Sequence, residues 1–146
     1  MGIVYSKIIL RNPRLPDLAP IEVEAMADSG ALFLCIPEAV CSRLRLEQAT
    51  DQTVTLADGS KRNVPYVGPV EVRFKNRVGF TGAIVLGDQV LVGAIPMEEL
   101  DLVVIPRTRE LDVNPASPDR ASSIVKQDQG DYSLIAALDR NSEVAQ

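Results

Sequence analysis

Short apolar runs broken by turn residues fill most of the chain. Ile3 to Leu10 reads as a strand, and Asn12-Pro13-Arg14-Leu15-Pro16-Asp17 then forbids a continuing ladder. Ile21, Val23, Ala25 and Ala27 alternate with Glu22, Glu24, Met26 and Asp28, the period of a half-buried strand. Ala31 to Ile36 is continuously apolar and predicts a strand buried on both faces. Pro37 suits the first position of a short helix, with Glu38 in its first turn and Val40 and Leu44 on one face.

Hairpins follow. Thr53 to Ala57 and Lys61 to Val64 flank Asp58-Gly59, a strong tight-turn signal. Val70, Val72 and Phe74 alternate with Glu71, Arg73 and Lys75. A turn at Lys75-Asn76-Arg77 leads to a strand over Phe80 to Leu86. Val90 to Ile95 is a compact apolar run, Pro96 to Leu100 predicts a short helix, and Leu102 to Ile105 pairs with Glu110 to Val113 across Pro106-Arg107-Thr108. Many short strands with two small helices predict an all-β barrel or sandwich over residues 1–115. Residues 116–146 are richer in Ser, Asp and Gln and predict a flexible tail, with one apolar stretch, Tyr132 to Leu138, long enough for a short helix.

Composition narrows the chemistry. The chain has 146 residues, 15 basic and 20 acidic, for a net charge of −5. One core suffices for this length, and the acidic balance argues against nucleic acid or an anionic membrane as partner. No run is long enough to span a bilayer, and the N-terminus lacks the basic and apolar regions of a signal peptide. Cys35 and Cys41 suit small apolar roles in a reducing compartment, so a cytoplasmic location is the default expectation. There is no histidine. That excludes His-based nucleophile activation, His-ligated metal sites and a His general base, and no cofactor or metal is expected. Any catalysis must rest on carboxylates, Lys, Tyr or backbone groups.

The chemical candidate is Asp28-Ser29-Gly30-Ala31. Taken alone, Asp, Ser and Gly are ordinary turn residues. Here, however, Ala25-Met26-Ala27 precedes the carboxylate and Ala31 to Leu34 follows it. A carboxylate in apolar surroundings needs hydrogen bonds or a partner with which to share a proton.

Three elements then agree in order: Asp28-Ser29-Gly30-Ala31, the Leu56-Ala57-Asp58-Gly59-Ser60 hairpin, and Leu91-Val92-Gly93 running into Ala94-Ile95-Pro96-Met97-Glu98. Together they resemble the retropepsin-like aspartic proteases, the single-lobe branch of the pepsin-type clan, and small prokaryotic members in particular. The resemblance covers residues 1–115. It implies a closed acid-protease barrel with one or two short helices, forming a single lobe that supplies one catalytic aspartate, Asp28. A symmetric homodimer would bring two such residues together around an extended polypeptide substrate. Ser29, Gly30 and Ala31 would support the catalytic loop, Ala57, Asp58 and Gly59 would form a closing flap, and Leu91, Val92 and Gly93 would pack under the loop.

The chain departs from the family where Ser29 replaces the commoner Thr, where Ala94 replaces the Arg common in viral members, and at a flap tip with fewer glycines. The alternative is a catalytically silent binding or assembly module on the same fold. A third reading, a regulatory protein whose tail folds on a target, rests on Tyr132 to Leu138 alone.

Overall fold

The computed structural model describes residues 3–126; the Tyr132 to Leu138 stretch lies outside them. The chain forms β1 (Val4–Arg11), β2 (Ile21–Ala27), β3 (Leu34–Ile36), α1 (Glu38–Arg43), β4 (Gln48–Thr55), β5 (Lys61–Phe74) and β6 (Arg77–Val85). It continues through β7 (Val90–Val92), α2 (Ala94–Glu99), β8 (Leu102–Ile105) and β9 (Glu110–Val113).

Six strands close on themselves in the order β1-β2-β7-β3-β6-β5, because β1 pairs with β5 as well as with β2. The closing seam sets Ile9 against Arg73, Leu10 against Val72 and Arg11 against Glu71. Closure removes the unpaired edges that an open sheet of these strands would expose. β5 is long enough to serve two purposes. Its second half completes the barrel, and its first half leaves it to pair with β4 as a hairpin. The division falls at an irregularity between Val67 and Val70 in the pairing with β6. The β8–β9 hairpin forms a separate two-stranded sheet against β1, where Leu111 N–H donates to Ser6 Oγ at 3.0 Å.

Alternation along the strands builds the core. Ile8 and Leu10 of β1, Ile21 and Ala25 of β2, Val70 and Val72 of β5, and Val90 and Val92 of β7 all point inward and are buried. Leu44 and Leu100, just past the two helices, plug the same core. The Asn12 turn closes α1. Asn12 is buried and its Nδ2 donates to Leu44 O at 2.9 Å and Arg45 O at 3.2 Å, satisfying helix-end carbonyls that have no partner of their own.

The structure corrects several sequence expectations. The apolar run Ala31 to Ile36 is not one strand. Only Leu34–Ile36 joins the sheet, because the carbonyls of Ala31 and Leu32 accept hydrogen bonds from Ala94 and Ile95 instead. Pro37 caps α1 in extended conformation rather than entering it. α2 starts two residues before Pro96, since Gly93 serves as its cap. Arg77, expected in a turn, is the first residue of β6 and is buried. Glu71, on the expected polar face, is also buried, with Arg73 Nε 3.0 Å from its Oε2.

Leu34 sits at the centre of the barrel immediately after the Asp28 loop. Leu34→Ala is therefore expected to lower the unfolding free energy by about 2–5 kcal/mol. Chemical denaturation checks this, and a change below about 1 kcal/mol would contradict the packing described.

Candidate active site

Asp28 is placed by its backbone. β2 runs parallel to β7, with Ala25 beside Val90, Met26 beside Leu91 and Ala27 beside Val92. One residue further, Asp28 N–H donates to Val92 O at 3.0 Å. The chain turns there: Gly30 N–H donates to Asp28 Oδ1 at 2.9 Å and Ala31 N–H to Asp28 O at 3.1 Å. It then returns as β3 along the other side of β7, with Leu34 beside Val92 and Cys35 beside Leu91. Val92 thus lies between the strand that enters the loop and the strand that leaves it.

Gly93 completes the support. A Cβ built on it would fall 2.5 Å from Phe33 O and 2.7 Å from Ala31 O, so the returning backbone occupies the space a side chain would need. Just beyond, Ala94 N–H donates to Ala31 O and Ile95 N–H to Leu32 O, each at 2.9 Å. The first turn of α2 therefore fastens the loop. Asp28 is half-buried, while Ser29 and Gly30 are exposed at the apex and Ala31 is half-buried behind them. Of the three residues expected beneath the loop, Val92 and Gly93 touch it, and Leu91 belongs to a second apolar cluster.

That cluster is a floor running across the sheet on the face away from the core. The strand registers link Met26 to Leu91, Leu91 to Cys35, Cys35 to Ile84, and Ile84 to Tyr66. Cys35, Val64 and Ile84 are buried, and Phe33, Val54, Tyr66, Leu86 and Leu91 pack around them, apart from the main core. Phe33 and Tyr66 meet edge to face, with ring centroids 5.8 Å apart. Gly82 makes room for Tyr66, since a Cβ there would overlap the phenol oxygen. Asp28 lies two residues from Met26 and projects at one end of this floor. Burial, and then the negative charge of Asp28, push the Cys35 thiol above its usual range. Sequence reasoning assigned no site role to Phe33, Tyr66 or Ile84, and read Cys35 only as a small apolar residue. They are apolar like the core, and the strand registers separate them from it: in β3, Leu34 and Ile36 face the core while Cys35 faces away.

Val54 and Val64 join this floor to the β4–β5 hairpin, whose tip carries Ala57, Asp58 and Gly59, all exposed. Gly59 takes a φ of +85°, which the turn requires and glycine adopts without strain. Leu56 N–H donates to Ser60 O at 2.8 Å and Gly59 N–H to Leu56 O at 2.9 Å. Asp58 Oδ1 accepts from Ser60 N–H at 2.9 Å and from Ser60 Oγ.

No family model matches the sequence, and no curated protein matches it. Solved structures do match. One is the solution structure of simian foamy virus (mac) protease, with 14% identity and a TM-score of 0.44, covering 63% of this chain and 91% of that one. Another is the protease of EIAV complexed with the inhibitor HBY-793, with 18% identity and a TM-score of 0.49, covering 68% of this chain and 88% of that one. The described residues themselves form a mostly β fold, a closed six-stranded barrel with two short helices.

No group of three or more Cys, Asp or Glu among the described residues is placed to hold a metal ion. No helix of the described residues is long and apolar enough to cross a membrane.

Two substitutions probe the geometry. In Gly93→Ala the new methyl meets backbone that cannot step aside, so the loop must shift; about 1–3 kcal/mol of stability is expected to be lost. Denaturation of the purified variant measures it, and wild-type stability would contradict the close approach. At the hairpin tip, the bonds from Ser60 hold Asp58 below the ordinary carboxylate range. A lowered folded-state value means the turn is supported above the unfolded pKa and loses that support as pH falls through the folded one. The Asp58 carboxyl carbon, followed by NMR, is expected to titrate below its ordinary value in the wild type and to move upward in Ser60→Ala. An unchanged midpoint would contradict the contact.

Proposed function

We propose that the protein is an aspartic endopeptidase that acts as a symmetric homodimer, with one Asp28 from each chain. The observation that carries this reading is the way Asp28 is held. It is a half-exposed carboxylate on a rigid, backbone-braced loop, and among the described residues no Lys or Arg forms an ion pair with it. An apolar floor begins two residues away.

The surroundings of the loop favour a second copy as its partner. Leu32 and Ile95, joined by their backbone hydrogen bond beside the loop, are 56% and 38% exposed. Ile3, one residue beyond the Val4–Ala27 pair and at the Asp28 end of the sheet, is 59% exposed. Apolar side chains grouped at one end of a small lobe mark a surface for association. A twofold axis through this end would bring the two loops together.

Two carboxylates at such an axis cannot both ionise readily, so the pair holds one proton and titrates as a unit. The ionised member takes a proton from a water molecule as that water attacks the scissile carbonyl carbon. The protonated member gives its proton to the carbonyl oxygen, and the resulting tetrahedral diol collapses as a proton passes to the leaving amine. No metal and no histidine takes part. Ser29 and Gly30, at the exposed apex, would line the approach to the water, and Ala31, Val92 and Gly93 would keep the loop in register. The hairpin carrying Ala57, Asp58 and Gly59 would close over a polypeptide held extended above the floor, whose apolar side chains favour apolar substrate residues.

The test is cleavage of a mixed peptide library at mildly acidic pH by the wild type and by Asp28→Asn. The wild type is expected to cleave, with activity falling as pH rises and the pair fully ionises. The variant is expected to lose at least about 100-fold. Equal activity in both proteins, or a rate still climbing into the alkaline range, would overturn the assignment. Silence from a demonstrably dimeric wild type would leave a binding module on this fold.

A further inference from the structure

The short helix α2 does more than end the barrel. Its first turn holds the Asp28 loop through Ala94 and Ile95, so whatever fixes the far end of the helix bears on the loop. With six residues, α2 has too few internal hydrogen bonds to be rigid by itself. Its far end is clamped from two sides. Against β6, Gly79 admits the helix so closely that a Cβ there would lie 2.8 Å from Glu99 Cγ and 3.0 Å from Leu100 Cδ2. Just past the helix, Asp101 takes a left-handed φ of 52° and gathers the chain that follows β9.

The gathering is extensive. Asp101 accepts hydrogen bonds from Asn114 Nδ2 at 3.1 Å and Ser122 N–H at 3.0 Å, and from Ser117 Oγ. Its carbonyl accepts from Asn114 N–H at 3.1 Å. Beneath it lies Arg77, 1% exposed, with Nη2 3.9 Å from Asp101 Oδ2 and donating to Ser117 O. Asn76, the neighbour of Arg77, donates to Pro118 O at 2.7 Å and Asp119 O at 3.1 Å. Residues 114–122 thus form a strap tied across the β6 start and the α2 end.

Arg77 is an expensive way to stabilise a fold. Its Nε and Nη1 find no hydrogen-bond partner among the described residues. Burying a guanidinium so sparsely paired is unfavourable compared with an apolar side chain of similar size, and the best-attested use of such a group is to fix one arrangement among several. The hydrogen bonds from Ser117, Asn114 and Ser122, with the charge of Arg77, hold the Asp101 carboxyl below the ordinary carboxylate range.

We infer that Arg77 and Asp101 are positioning residues for the Asp28 loop, acting through α2: they lock the strap onto the end of the helix whose first turn holds the loop. The inference rests on reading Asp28 as the catalytic group, and its test also has a readout that needs no activity.

Amide hydrogen exchange in the full chain compares wild type, Asp101→Ala and the milder Ser117→Ala. The Ala94 and Ile95 amides, which donate to the loop, are expected to exchange at least about tenfold faster in Asp101→Ala, beyond any change in the β5 and β6 barrel amides, with a smaller effect in the same sense in Ser117→Ala. Peptide cleavage by Asp101→Ala is expected to show kcat reduced and KM nearly unchanged, as for a loss of alignment rather than of substrate contact. Exchange that rises equally everywhere, or not at all at Ala94 and Ile95, would overturn the link whatever the activity. Selective exchange in a protein whose wild type cleaves nothing would support the link and overturn the catalytic reading of Asp28 instead.

Discussion

The constraint on which the structure turns is the passage of Val92 and Gly93 between the two arms of the Asp28 loop. Val92 pairs with Ala27 on one side and Leu34 on the other, and its carbonyl accepts the Asp28 amide. Gly93 then has backbone of the loop where a side chain would stand. This one crossing brings residues far apart in sequence into a single hydrogen-bonded unit, with Ser29 and Gly30 exposed at its apex. The Asp28 carboxylate, the floor of Leu91, Cys35 and Ile84, and through Val54 and Val64 the β4–β5 hairpin are all connected to it.

Such a unit presents one carboxylate, and among the described residues no Lys or Arg forms an ion pair with it. Peptide hydrolysis by acid–base chemistry needs a base to activate water and an acid to polarise the carbonyl, and one carboxyl group cannot be both at once. The histidine-free composition removes the commonest source of a second group. In the proposed peptidase a second copy of the same loop would supply it, and the exposed Ile3, Leu32 and Ile95 would give that copy an apolar surface.

Much of this was legible in the residues. Period-two alternation marked β2 and the second half of β5, and Asp58-Gly59 marked the hairpin, because both depend on local geometry alone. The Asp28 turn and the Val92-Gly93 element were visible as motifs. What escaped was set by tertiary contact. Ala31 to Phe33 look like a strand and are held out of the sheet by hydrogen bonds to α2 that no local pattern announces. Arg77 looks like a turn residue, yet the strap buries it beside Asp101. The floor residues Phe33, Cys35, Tyr66 and Ile84 are apolar like the core, and only the strand registers separate the face they share from the core face.

The central claim is that each chain contributes one half of a shared site, and subunit mixing tests it most directly. Wild type and Asp28→Asn are unfolded together, refolded at constant total concentration, and assayed for peptide cleavage as the proportion of variant rises. If two Asp28 carboxylates act as one pair, mixed dimers are inactive and activity falls as the square of the wild-type fraction. Activity that falls only in linear proportion to that fraction would show that each chain works alone, and would contradict the account.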